Sequence, residues 1–330
     1  MISVLEPYAI PLEAVHADQG SNCQPGFVYA SNESRFDESQ YSEPLTNYIV
    51  GGWDSDPLEQ LLEFYAPGVQ VPRLFEYKEF LHSDEFWSDD GDEDVREIYA
   101  DFARVKERGA VDKNGKTLNK GLTIVLDRDK LNGPFSEQQE TMRLMQRLKR
   151  NEIRRAINLL KAAATNVNLT WDTTAGKDPE QDIRNQLLLS QQAVGLRPNR
   201  VGYGETAWEK RVTACRAQNN AGGYASAAMS VQQVGSFLNV ESITATDARY
   251  KGASTLTPYV ANQVLMFYAV SGLGVNDPSC IKRFVSPVEG GGRIRVYRRE
   301  MGPKLIAITV EHYSSIVLTS TLGIRKATIS

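Results

Sequence analysis

The apolar positions of this chain change period along its length. From Ser136 onward, Met142, Met145, Leu148, Ile153, Ile157 and Leu160 recur at helical steps through to Ala164, a spacing that puts them on one face of a helix. Ser136, with Gln139 three residues on, is placed as the cap. At about 1.5 Å per residue, a helix over residues 137–165 spans roughly 40 Å and would serve as a spine. A shorter helix is predicted from Pro57 to Tyr65, with Leu58, Leu61, Leu62 and Tyr65 on one side and Ala66-Pro67-Gly68 as its stop; Val69 and Val71 then resume as a strand. β-rich runs predict strands at 121–127, 240–246, 264–270, 294–298, 305–310 and 315–319, and the turn-like Asp112-Lys113-Asn114-Gly115-Lys116 predicts a reversal before the first. Residues 225–238 read as one small-residue helix. Residues 1–50 lack a sustained period and carry scattered aromatics such as Phe27, Tyr29 and Phe36, which predicts an extended arm that orders only against another surface.

The stretch from Trp171 to Trp208 is the most structured in its punctuation: a strand end, a capped helix, a stop, a buried strand and a second helix. Asp178 can accept from the free amides of a new helix, Pro179 suits its first position, and Gln181 stands where a reciprocal capping box places an amide. Ile183, Leu187, Leu188 and Val194 form its apolar stripe, and Gly195 supplies the left-handed stop. Pro198-Asn199 is a turn pair, and Arg200-Val201-Gly202-Tyr203-Gly204 is a short strand entering a tight corner. Taken alone, this stretch equally describes one αβα unit of an α/β protein.

With 330 residues and 41% hydrophobic content, the chain can bury one large or two ordinary cores. Charge divides unevenly: residues 1–100 hold 21 acidic and 4 basic residues, a net of −17, whereas residues 101–330 hold 20 and 33, a net of +13. Regions of opposite sign are therefore expected to meet, within one molecule or between copies. The run Asp84 to Asp94, with Asp89, Asp90, Asp92, Glu93 and Asp94, is too acidic for its own core, while Phe80, Phe86, Trp87, Ile98, Tyr99 and Phe102 are too apolar for water. A segment with both properties is expected to pack on another surface. Asp90, Asp92 and Asp94 alternate as in a calcium loop, but the glycine is misplaced and Asp101 stands where the closing glutamate belongs. The basic face of the spine helix is assigned to Arg147, Lys149, Arg150, Arg154 and Arg155, which have no interleaved aromatics and so do not predict sequence-specific nucleic-acid recognition.

Catalytic and metal chemistry find little support. His16, His82 and His312 occur singly, and no nucleophile elbow or phosphate loop is present. Gly290-Gly291-Gly292 before Arg293 could cradle a phosphate, but without a strand before it and a helix after it reads better as a hairpin or an inter-subunit tip. Cys23, Cys215 and Cys280 are odd in number and far apart, which predicts packing residues in a reducing compartment. No cofactor and no metal are expected. The N-terminal residues carry no basic segment followed by an apolar run, so no secretory signal is expected, and no apolar stretch reaches membrane-spanning length.

The ordered landmarks Trp171, Asp178, Pro179, Asp182, Gly195, Pro198, Asn199, Gly204 and Trp208, with an arm, a long loop and a spine helix before them and strands after them, resemble the major capsid proteins of tailed phages. That resemblance implies an α+β chain of the Hong Kong 97-type (Johnson) capsid fold. It implies an N-terminal arm over residues 1–50, entry to a peripheral domain over 51–70, an extended β-loop over 71–125, the peripheral domain with its spine over 126–172, an axial domain over 173–300, and strands returning to the peripheral domain over 301–330. It also implies a non-enzymatic coat protein that assembles through hexamers and pentamers into the icosahedral shell of a double-stranded DNA virion, built in the host bacterial cytoplasm. The implied partners are other copies of the chain, a separate scaffolding protein, a portal, cement proteins and non-specifically packaged DNA, with no membrane. Because only about fifty weakly patterned residues precede the first predicted helix, the chain is expected to remain uncleaved near Met1. An encapsulin-like compartment shell and, more remotely, an α/β enzyme remain as alternatives.

Overall fold

The computed structural model describes residues 40–53, 56–80, 95–96, 101, 110–131, 133, 136–252, 255–272, 274–289 and 291–330. In chain order these form α1 (Glu43–Trp53), α2 (Pro57–Tyr65), β1 (Gly68–Gln70), β2 (Leu74–Phe80), β3 (Ala110–Lys116), β4 (Leu118–Asp127), α3 (Ser136–Ala163) and β5 (Thr165–Leu169). Next come α4 (Pro179–Val194), β6 (Arg200–Gly204), α5 (Glu205–Ala217), α6 (Ala221–Ala228), α7 (Val231–Leu238), β7 (Ser242–Thr246), β8 (Arg249–Lys251) and β9 (Leu256–Pro258). The last are β10 (Gln263–Phe267), β11 (Ile281–Ser286), β12 (Arg295–Glu300), β13 (Leu305–Leu318) and β14 (Arg325–Ile329). They fall into two compact units, the first drawn from residues within 1–75, 115–156 and 283–317, the second from within 76–114, 157–282 and 318–330.

In the first unit, β1, β11, β13 and β12 lie side by side, and β4 also pairs with β13. The antiparallel β4–β13 register sets Leu126 against Ile306, Ile124 against Ile308 and Leu122 against Val310, so alternate residues give one apolar face. Leu144, Met145 and Leu148 of α3 and Leu45, Ile49 and Trp53 of α1 share that core. On the other face Thr123 and Thr309 join hydroxyls at 2.8 Å.

The second unit is built on the mixed sheet β5-β14-β10-β6-β7. β10 runs antiparallel to β14 and β6, whereas β5 is parallel to β14 and β7 to β6. Its core gathers Val201, Tyr203, Val264, Met266, Ala327 and Ile329 from the sheet with Ile183, Leu187, Ala207, Ala214, Val234 and Leu238 from the helices.

Several sequence expectations change here. Helix α1 occupies residues 43–53, so that the last residues of the stretch expected as an arm, 1–50, are helical; Leu45, Ile49 and Trp53 supply a buried stripe that Gly51-Gly52 obscures. Residues 1–39 of that arm lie outside the described residues. Asp112 to Lys116 does not turn but lies within β3, where a Cβ on Gly115 would stand 2.5 Å from the Phe75 ring. Ser136 is the first helical residue rather than the cap, and its hydroxyl donates to the Gly133 carbonyl at 2.8 Å. The predicted helix over 225–238 is two helices, because Ser230 starts α7 with its own capping box to Gln233. The strands expected at 305–310 and 315–319 are one 14-residue strand. Residues 283–300 fall in the first unit, and β14 lies in the second unit between β5 and β10.

Candidate functional site

The Trp171 to Trp208 landmarks come together in the second unit. Asp178 caps α4 by accepting from the Gln181 amide at 3.0 Å, and Gly195 ends the helix at φ 77°. The Gln181 side chain donates to Asn185 Oδ1 at 2.9 Å, so the expected reciprocal capping box is replaced by a bond along the helix. Trp171, 2% exposed, donates from Nε1 to Asp182 Oδ2 at 3.0 Å, tying the end of β5 to α4. Pro198 is buried, and Asn199 uses its side-chain amide as a peptide surrogate: Nδ2 donates to the Ala269 carbonyl at 3.0 Å and Oδ1 accepts from the Ala269 amide at 2.9 Å. At Gly204 a Cβ would stand 2.2 Å from the Ala261 carbonyl oxygen, which makes glycine obligatory. Trp208 packs edge-on to Tyr203 at 5.4 Å and lies under Arg211, 4.7 Å from the ring centroid.

Arg211 is fully buried and is the polar centre of this unit. It pairs with Glu180 at the start of α4 and donates to the Ser226 carbonyl of α6 at 2.8 Å, so one guanidinium joins three helices. Cys215 lies beside Glu180, and burial followed by that negative charge pushes its thiol up to about 12. Burial likewise pushes Cys280 up to about 12. Both are packing residues, since a thiol held neutral is a poor nucleophile.

The first unit contains a longer chain of buried charge. Asp56 caps α2, accepting from Leu58 N at 3.0 Å through Oδ1, while its Oδ2 lies 3.5 Å from Lys149 Nζ. Lys149 is 3.4 Å from Glu59, donates to the Trp53 carbonyl at 2.9 Å and sits 3.9 Å from the Trp53 ring centroid. Glu59 accepts from Arg283 at 2.7 Å, Glu63 lies 3.3 Å from the same guanidinium, and Arg283 lies 3.7 Å from Glu152. Glu152 then meets Lys120 at 3.5 Å, His312 Nε2 at 3.1 Å and the Ser314 hydroxyl. Burial alone would raise the Glu152 carboxyl, but the charge and hydrogen bond of His312, then Lys120 and Arg283, hold it well below the ordinary carboxylate range. Burial lowers Lys149, opposed by Glu59 and Asp56.

This geometry divides the expected basic face of the spine. Lys149 is buried in the charge chain and belongs to no outer face, because it stands on the same side of α3 as Met145, Glu152 and Ile153. Arg147 and Arg150 are exposed, and Arg154 and Arg155 half-buried. Phe86, Trp87, Asp89, Asp90, Asp92, Glu93 and Asp94 lie outside the described residues. Sequence reasoning missed the charge chain because its members come from five separated elements; a signal was present in His312 and Ser314, polar at inward positions of an otherwise apolar strand. Among the described residues no cluster of His, Cys, Asp and Glu could hold a metal ion, and no helix is long and apolar enough to cross a membrane.

No protein-family model and no curated protein matches the chain. Among solved structures it is similar to a phage-related protein from Bordetella bronchiseptica, with 14% identity, a TM-score of 0.62, and coverage of 87% of this chain and 96% of that one. Weaker likenesses include an encapsulin complex from Synechococcus elongatus (13% identity, 83% and 87% covered, TM-score 0.49) and the mature capsid of bacteriophage PhiM1 (8% identity, 82% and 86% covered, TM-score 0.46).

Proposed function

We propose that this chain, which has the Hong Kong 97-type (Johnson) fold, is the major coat protein of a tailed double-stranded DNA phage, assembling through hexamers and pentamers into an icosahedral shell. The observation that carries the reading is the fold itself, shared over 96% of the phage-related protein's length. Two further features fit a building block. Arg211, Lys149 and Glu152, charged side chains at most 2% exposed, act as ties between elements. The two described cysteines are held as neutral thiols.

In this reading no catalytic residue is assigned. The acidic run around Asp89 to Asp94, anchored by Phe86 and Trp87, docks on a neighbouring copy, so that many modest contacts multiplied by symmetry close the shell. A separate scaffolding protein, a portal, cement proteins and non-specifically held DNA are the further partners.

Electron microscopy of the purified full chain tests the reading. Shells of phage-head size are expected. Small cargo-filled shells would replace it with an encapsulin-like compartment, and discrete small oligomers at every concentration would overturn both.

A further inference from the structure

The apolar face of the β4–β13 pair ends abruptly. Ile306, Ile308 and Val310 point at α3, but the next two inward residues of β13 are His312 and Ser314, and the inward residue of β4 opposite His312 is Lys120. All three converge on Glu152, two helical turns beyond the apolar contacts of Met145 and Leu144. Arg283 approaches the same carboxylate from β11 and shares itself with Glu59 and Glu63 of α2. Charges therefore alternate along a path: Asp56, Lys149, Glu59, Arg283, Glu152, then Lys120 and His312. Lys149 stands between two carboxylates at the start of α2, and Arg283 between carboxylates of α2 and α3. At the far end, a single carboxylate stands between two cross-strand partners that can both be cationic.

We propose that Glu152 is an acid-release latch: neutralising this one buried carboxylate parts α3 from the β4–β13 seam, while the apolar part of the first unit and the sheet of the second stay in place. The physical reason is an asymmetry of burial. Removing one partner from a buried ion pair leaves charge uncompensated, and here Lys120, His312 and Arg283 lose the one carboxylate on which they converge. Acid acts through the anion: a protonated Glu152 no longer offsets the positive charge of Lys120 and Arg283 at the seam. The sign follows from the depressed carboxyl. Stability from this group is present above its ordinary value of 4.5 and is lost as pH falls below it toward the lower value of the folded state. The inference does not rest on the shell-forming reading.

Hydrogen exchange of the full chain, followed by mass spectrometry and corrected for the intrinsic pH dependence of exchange, tests the latch. On acidification through 4.5, the amides linking β4 to β13 and those of α3 around residues 149–156 should lose protection by up to about tenfold per pH unit, the effect of one proton. The amides of β6 and β10 should keep theirs. Glu152→Gln, which mimics the protonated state, should show the open seam already at neutral pH, with no further seam response to acid. Adding Lys120→Met should restore protection by removing one of the cations that converge on the neutralised side chain. Glu311→Gln is the control: Glu311 lies on the opposite face of β13, bonded to Tyr297 and Asn119, and should leave the acid response of the wild type unchanged. If Glu152→Gln does not fold, folding of the double variant supports the latch. If neither folds, the wild-type profile decides. Protection lost evenly across both units, or an acid-opening seam in Glu152→Gln, would overturn the proposal.

Discussion

At Gly204 the fold has no room for one more carbon. A Cβ there would press on two backbone carbonyl oxygens, of Ala261 and Val260, which no side-chain rotation can relieve. Gly204→Ala is therefore expected to cost about 1–3 kcal/mol, the usual range for overpacking. Gly51, in the interior of α1 with nothing within 4 Å of its Cβ position, should respond with the opposite sign. Gly51→Ala is expected to stabilise by about 0.5–1 kcal/mol, because alanine loses less backbone freedom in a helix. Urea midpoints of the two variants test the contrast, and equal shifts would refute this account of α1. A second pair of variants probes the Arg211 tie. Arg211→Met alone leaves Glu180 buried without its cation and should cost about 3–5 kcal/mol. Combining it with Glu180→Gln should recover a large part of that loss, because both charges then leave together. A double variant no better than the single would mean that Arg211 acts through packing on Trp208 instead.

At the scale of elements, α3 makes the sharpest demand. It runs unbroken from Ser136 to Ala163, and Ile153 in its middle is fully buried. Ile153→Pro removes an internal hydrogen bond and clashes with the preceding turn, at a cost of about 3 kcal/mol or more. Insoluble protein or loss of assembly is expected, read from the soluble fraction and by electron microscopy; normal particles would show that the helix need not be continuous. The spine was legible in sequence because its face repeats over six apolar residues, and α2 and α4 were legible to the residue because Asp56-Pro57 and Asp178-Pro179 mark their starts. Legibility failed where charge is buried. β11 carries Lys282 and Arg283, which look like surface, but Lys282 is caged by the carbonyls of Val275 and Asp277 at 2.6 and 2.9 Å and Arg283 by glutamates. β13 was read as two strands because the polar His312 and Ser314 interrupt its apolar pattern, and they point inward at partners distant in sequence. The Asp112 to Lys116 turn was a failure of composition: its glycine is there to admit the Phe75 ring. Of the site, the landmarks of α4 and β6 could be read locally, whereas the charge chain exists only once five elements meet.

For the whole molecule, the division of charge is the feature that bears on how copies meet. The first hundred residues carry a net of −17 and the remainder +13, and within one copy Asp56, Glu59 and Glu63 of the acidic part already meet Lys149 and Arg283 of the basic part. If the run between Asp84 and Asp94 docks on the basic surface of a neighbouring copy, replacing Asp89, Asp90, Asp92, Glu93 and Asp94 with Asn or Gln should weaken association and leave the monomer folded, since shape is kept and only charge is lost. Each exposed pair contributes at most about 1 kcal/mol and is screened beyond about 10 Å at moderate salt, so the loss per contact is small and should fade as salt rises. Multiplied over the contacts of a closed assembly, a small loss per copy becomes a large change in yield. Light scattering across a salt series, on wild type and variant, is the measurement, with circular dichroism to confirm the fold. The variant should assemble less than wild type at low salt, and the two curves should converge at high salt. Equal yields at every salt concentration would mean that the acidic run faces solvent or an accessory protein, and the charge division would then need another explanation.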